Sequence, residues 1–433
     1  MSFDSFHFNA NINAALKPLG YTTPTPIQAQ AIPKILEGRD VLGLAQTGTG
    51  KTAAFVLPIL QRLSSGPRGR VRALIVAPTR ELAEQIQVSI ANMGRQTGLH
   101  SMTVYGGVSA HHQIIGLKKV DIVVACPGRL LDLMQQRHAN MGALEVLVLD
   151  EADQMFDMGF LPSIRKILKQ IPQKRQTLLF SATMPDDIRH LAHECLRDPV
   201  TVSVNHTEAL TTVSHALYPV NDHQKTGVLL ALLKPTAMES VLIFTRTKHR
   251  AKKLDKVLTD HGFAATSLQG NLSQNRRKAA LDGFRSGKYN IMVATDIAAR
   301  GIDVSQISHV INYDIPATPE AYTHRIGRTG RAAKTGDAFT LITREDEDMV
   351  RAIERKMGKP IERRKLEGFD YAKGPTPDQA HGLAQSAQAR QHLGQRHGGQ
   401  HSGRHGGQGG GGQGGQHAAS GRPPRRQPHR RRR

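Results

Sequence analysis

Eight consecutive residues, Ala45-Gln46-Thr47-Gly48-Thr49-Gly50-Lys51-Thr52, place two glycines, a lysine and a threonine directly behind an aliphatic run. Glycines at this spacing let backbone N–H groups close around phosphate oxygens. A lysine in this position reaches the β- and γ-phosphates of a nucleotide, and the Thr52 hydroxyl can ligate Mg²⁺. The pattern is a phosphate-binding loop with Ala45 in place of the first glycine. A second group, Asp150-Glu151-Ala152-Asp153, follows the run Val146-Leu147-Val148-Leu149. Standing alone, such acids would read as a solvated helix start. Behind a phosphate loop, Asp150 is the expected partner of Mg²⁺ and Glu151 is placed to polarise an attacking water. Upstream, the Gln28 carboxamide can pair with both N6 and N7 of adenine, which would select ATP over GTP. Tyr21 or Phe3 could stack on that base, and either could equally be core.

These residues need a scaffold that presents them together. Short aliphatic runs alternate with helix-like stretches: Val41–Leu44, Val71–Val76, Met102–Val104, Ile122–Val124, Val146–Leu149 and Thr177–Phe180 in the first half. Val241–Phe244, Ala264–Leu268, Ile291–Val293, Val310–Asn312 and Phe339–Ile342 follow in the second. Such runs suit strands buried on both faces of a parallel sheet. Segments such as Arg80–Met93 and Arg246–Leu258 are long enough to cross over between them. The expectation is two α/β domains, 1–204 and 213–373, joined by a polar linker at 205–212. No residue-level repeat relates the halves. The unusual residues cluster after strands, where open parallel sheets bind ligands.

Length and composition agree. At 433 residues the chain suggests two or three domains. Two cysteines, Cys126 and Cys195, exclude a disulfide framework and a four-cysteine zinc site. No run of 18 apolar residues offers a membrane span, and the start has no secretory pattern, so a soluble, cytoplasmic protein is expected. The net charge is +22, which points to a polyanionic partner, most often nucleic acid. Residues 374–433 carry ten Arg, no Lys and one acid, with no aromatic residue. They cannot bury enough apolar surface to fold, so a disordered basic tail is expected. It reads either as a solubilising end or as a non-specific RNA tether working through phosphate neutralisation.

Taken together, the loop 45–52, the tetrad 150–153, Gly20 to Gln28, Pro78-Thr79-Arg80-Glu81-Leu82, Gly106-Gly107, Ser181-Ala182-Thr183, Asp296 to Asp303 and His324 to Arg331 resemble the DEAD-box RNA helicases. The likeness covers residues 1–365, with the short N-terminus and Gly/Arg-rich tail most similar to the bacterial RhlE group. It implies two tandem RecA-like domains of helicase superfamily 2, with ATP and Mg²⁺ as cofactors. RNA would be bound as single strands or short duplexes, in ribosome assembly or RNA decay. It implies arginine-finger roles for Arg328 and Arg331, and nucleotide contacts for Gly301 and, at the ribose, Asp303. Asp153, Ser181, Thr183 and His324 would couple the domains. Backbone contacts to RNA are implied for Pro78, Thr79, Arg80, Gly107, Pro127, Gly128 and Arg129 in the first half. Gly270, Gln274, Arg277 and Thr295 are their counterparts in the second. Two residues depart from the family pattern: Cys126 where Thr is common, and Gln269 where His is common.

Overall fold

The computed structural model describes residues 2–46, 48–204, 213–234, 238–299, 307–330 and 336–374. The expected linker 205–212, the tail from residue 375, and Thr47, Gly301, Asp303 and Arg331 lie outside them.

The first lobe is a seven-stranded sheet. Its strands are β1 (Val41–Leu44), β2 (Ala73–Val76), β3 (Ser101–Val104), β4 (Ile122–Ala125), β5 (Val146–Leu149), β6 (Gln176–Ser181) and β7 (Val200–Ser203). The second uses β8 (Val213–Pro219), β9 (Val241–Phe244), β10 (Ala265–Leu268), β11 (Ile291–Ala294), β12 (His309–Asn312), β13 (Gly336–Ile342) and β14 (Glu362–Arg363). The spatial orders are β3-β4-β2-β5-β6-β1-β7 and β10-β11-β9-β12-β13-β8-β14. Adding seven to each number of the first order yields the second, so the two lobes share one topology without sharing sequence. Neighbouring strands are parallel, for example Val41 opposite Leu178 and Val241 opposite His309. The β2, β4, β5, β6, β9 and β11 residues are buried throughout, as strands covered by helices on both faces must be.

Three strands escape the sequence reading. β7 alternates exposed and buried residues at the sheet edge, β14 is two exposed residues, and β8 begins where a polar linker was expected to end. Their strand character comes from the neighbour they pair with rather than from an apolar run. Of the expected helices, Arg80–Met93 holds to the residue; Thr79 caps it, its hydroxyl accepting from Leu82 N at 3.2 Å. The helix expected over Arg246–Leu258 runs Lys248–Asp260, because Thr247 caps it instead. The compact body continues through Lys373, with Phe369 and Tyr371 packed against the second lobe's core.

Candidate nucleotide and RNA sites between the lobes

β1, β6 and β5 are adjacent, so the phosphate loop after β1 and the acids after β5 share one carboxyl edge of the sheet. Gly48 and Gly50 adopt φ of 90° and 94°. At Gly50 only glycine fits, since a Cβ there would lie 2.5 Å from Gln28 Nε2. Lys51 is buried, and its ammonium donates to the Ala45 carbonyl at 2.9 Å, closing the loop on itself. Thr52 occupies the second position of helix Lys51–Leu63.

Asp150 and Glu151 are both 2% exposed. Asp150 accepts from Glu151 N at 3.0 Å. Burial pushes its carboxyl up to about 7; the Lys51 ammonium opposes the shift and Glu151 adds to it. Glu151 itself adopts φ 53°, ψ 53°, a left-handed conformation that a non-glycine residue holds at a cost of order 1–3 kcal/mol. That backbone turn opens helix Ala152–Asp157 and sets Asp150 and Asp153 on either side of it.

Gln28 sits in a capping box with Thr25: its Oε1 accepts from Thr25 N at 2.9 Å, and its Nε2 donates to Gly50 O at 3.1 Å. The Thr25 hydroxyl donates to Thr49 O at 2.8 Å. The segment is thus stitched to the phosphate loop. A carboxamide has one further lone pair and one further N–H, the complement of adenine N6 and N7. Phe3 is buried in the core, and Tyr21, partly exposed, meets its ring edge-on with centroids 5.5 Å apart.

The four expected coupling residues come together across the lobes. Asp153 N donates to Ser181 Oγ (3.2 Å), and Ser181 Oγ donates to Thr183 O (2.7 Å). Thr183 donates to Asp153 Oδ2 through both its N–H and its hydroxyl, each at 3.0 Å. From the second lobe, His324 Nε2 approaches the same oxygen to 3.9 Å, an ion pair when the imidazole is protonated. Arg328, 5% exposed, lines a cavity of about 460 Å³ with Asp153, Thr183 and His324. Gln46 of the phosphate loop shares a smaller cavity with Thr183 and His324.

One residue that the sequence reading assigned no role holds this second-lobe face in place. Arg325, 2% exposed, forks onto Asp296 (Nε–Oδ1 2.6 Å, Nη2–Oδ2 2.7 Å). Its Nη1 donates to Asn312 Oδ1 and Asp314 O. The available signal was an arginine inside an otherwise amphipathic helix, one residue after His324.

A second groove, about 400 Å³, also crosses the lobes. Pro78, Thr79, Arg80, Gly128 and Arg129 line it from one side, and Gly270, Gln274 and Arg277 from the other. Gly107, Pro127 and Thr295 are not in that lining. Gly107, at φ 78°, lies beneath the Arg80 guanidinium, where a Cβ would fall 2.4 Å from Nη1. Pro127 is buried at the start of helix Pro127–Gln135. Arg80 donates to Gln274 Oε1 at 3.1 Å, and Arg277 pairs with Glu81 at 2.7 Å. Glu81 is therefore a cross-lobe contact that sequence reasoning passed over. Cys126 lines the groove too, its thiol pushed up to about 12 by burial. Gln269 is buried, and its Oε1 accepts from Asn271 N at 2.8 Å, fixing the turn that carries Gly270.

Residues 25–191 match the DEAD/DEAH box helicase family and residues 224–333 the helicase conserved C-terminal domain. The chain is 41% identical over 374 residues to the DEAD-box ATP-dependent RNA helicase CshA of Bacillus licheniformis, covering 86% of this chain and 77% of that protein. It is 40% identical over 363 residues to RhpA of Helicobacter pylori, covering 83% and 73%. Among solved structures, S. cerevisiae Dbp5 bound to RNA and ADP BeF3 superposes with a TM-score of 0.78 at 30% identity, covering 84% of this chain and 96% of that one. With two lobes of one topology, an acid pair beside a phosphate loop and these likenesses, the chain belongs to the DEAD-box ATP-dependent RNA helicases.

Proposed function

We propose that this chain couples ATP binding and hydrolysis to closure of its two lobes, 1–204 and 213–373, on single-stranded RNA, separating short duplexes or remodelling RNA–protein particles. The observation that carries this reading is the network Asp153–Ser181–Thr183, met from the second lobe by His324. It ties the acidic strand end of one lobe to the arginine-bearing helix of the other. ATP and RNA each bind across the cleft in this reading, so each favours closure and their coupling is reciprocal.

The residues divide the work. Gln28 reads the adenine. Gly48 and Gly50 admit the phosphates, and Lys51 neutralises them. Glu151 orients and deprotonates the attacking water. Arg328, with Arg331 beyond it in sequence, meets the charge that develops on the transferred phosphoryl group, a contribution worth about 10³–10⁵ in rate in related enzymes. Phosphate contacts in the second groove would position RNA without reading its sequence.

Mg²⁺ fits the donor set. Thr52 and Asp150 supply hard oxygen ligands, and no cluster of three metal-binding side chains exists among the described residues. That suits an ion that keeps waters and takes phosphate oxygens. When bound, it would neutralise charge on the β- and γ-phosphates.

Membership of the RhlE group, a cytoplasmic location, and work on ribosomal precursors or in RNA decay extend this reading. No helix among the described residues is long and apolar enough to cross a membrane.

Glu151→Gln tests the assignment. It should hold RNA in the presence of ATP while RNA-stimulated hydrolysis falls by about 10²–10⁴. Normal phosphate production by this variant would remove Glu151 from the mechanism.

A further inference from the structure

Helix Lys248–Asp260 buries Ala251, Leu254 and Leu258 against the second sheet. The opposite face is basic. At about 100° per residue, Lys248, Lys252, Lys256, His249, Lys253 and Arg250 fan in that order across roughly 200° of its circumference. The first five are exposed. Among the described residues, Lys252, Lys253 and Lys256 have no ion-pair partner. Asp255 lies at the buried border, where its Oδ2 accepts from Ser267 Oγ at 2.7 Å; Asp260 is the one acid on the exposed arc. A face so one-sided in charge repels itself unless an anion covers it.

Its two borders lead to two places. At one, Lys248 Nζ donates to Asn271 Oδ1 at 3.1 Å, and Asn271 adjoins Gly270 in the wall of the RNA groove. At the other, Arg250 pairs with Asp222 at 3.2 Å. The next two residues hold the end of the compact body. His223 Nε2 lies 3.3 Å from Lys373 O, and Gln224 Nε2 donates to Tyr371 O at 2.7 Å. Phe369 seats against Gly227, where a Cβ would meet its ring at 3.2 Å. The compact body therefore ends beside one border of the basic helix, and the helix starts beside the groove.

We propose that this exposed helix face binds the phosphate backbone of RNA flanking the strand held between the lobes. The proposal rests on the groove being the site of single-stranded RNA. A basic strip without aromatic side chains suits phosphates and would be indifferent to sequence.

The test uses the full chain with Lys252→Gln, Lys253→Gln and Lys256→Gln combined. Gln has nearly the helix propensity of Lys, and unchanged melting would verify the fold. RNA affinity is measured over a series of salt concentrations in a non-hydrolysable ATP analogue, with a short strand confined to the groove and with a long strand. On the long strand, the slope of log K against log salt should shrink by roughly 2, at about 0.7 for each single-strand phosphate no longer neutralised. The short strand should keep its slope. A control, Lys166→Gln with Lys169→Gln and Lys174→Gln on the first lobe, removes equal charge and should leave both slopes alone. An unchanged long-strand slope overturns the proposal, as it would if the face instead took an acidic protein. A control that shrinks the slope equally also overturns it. Failure of the unaltered chain to bind the short strand would instead bring down the groove reading.

Discussion

Glu151 and Cys126 show what single residues contribute. Glu151 spends backbone strain to turn the chain at the acidic strand end, an arrangement no residue pattern announces. Cys126 stands at the N-cap of helix Pro127–Gln135, where its side chain makes no capping bond. Threonine there would accept from the first-turn N–H groups, so Cys126→Thr should stabilise the chain by about 0.5–2 kcal/mol, read as a higher urea midpoint at constant m-value. Both thiols are pushed from 9.0 up to about 12, chiefly by burial. A raised thiol pKa keeps the proton on, and at pH 8 the thiolate fraction falls by on the order of 10³ relative to the unfolded chain. Ellman's reagent should therefore label the native protein slowly and the urea-unfolded protein at once. Rapid native labelling would show that burial does not hold either thiol. The grouping of Lys51, Asp150 and Glu151 at one strand-end edge was legible because phosphate binding demands particular residue types in a fixed order. The role of Arg325 was not, because its partners Asp296, Asn312 and Asp314 are 11 to 29 residues away.

At the scale of elements, Arg325 fastens helix Pro319–Ile326 to the end of β12 and to helix Asp296–Ala299. It also stacks 4.9 Å from the centre of the Phe244 ring. Arg325→Met removes the fork and leaves buried acceptors without a donor, which should cost about 3 kcal/mol. Arg325→Lys keeps the charge yet cannot fork, so it should rescue only part. Thermal melting and RNA-stimulated ATPase should fall together, because His324 and Arg328 ride on the same segment. A stable but inactive Met variant would mean that Arg325 acts in the chemistry directly. Central strands were readable from aliphatic runs that both-face burial requires. The edge strands β7 and β14 were not, since an edge strand needs only one buried face and a neighbour's backbone.

For the whole molecule, the repeated strand order puts a strand-end surface on each lobe, and side chains from the two surfaces meet across the gap. The Arg277–Glu81 pair, 13% and 6% exposed, and the Arg80–Gln274 bond show lobe contacts forming at the second groove as well as at Asp153 and His324. Charge adds a longer-range layer. Removing residues 374–433 deletes ten Arg and one acid. RNA affinity should drop and its salt dependence flatten, by about 0.7 slope units for each single-strand phosphate that the tail had neutralised. Filter binding over a salt series measures this, and a slope identical to that of the full chain would leave the tail as a solubilising end.

The sequence by itself determined the chemistry and the class of scaffold: residue types in order specify a phosphate loop, an acid pair and buried parallel strands, since each answers to local spacing. Only the tertiary structure decided which residues of one lobe face which of the other. It gave Arg277 to Glu81 and set the end of the folded body beside a basic helix. Those pairings span about 150 to 200 residues, and nothing in local spacing encodes a contact between residues so far apart in the chain.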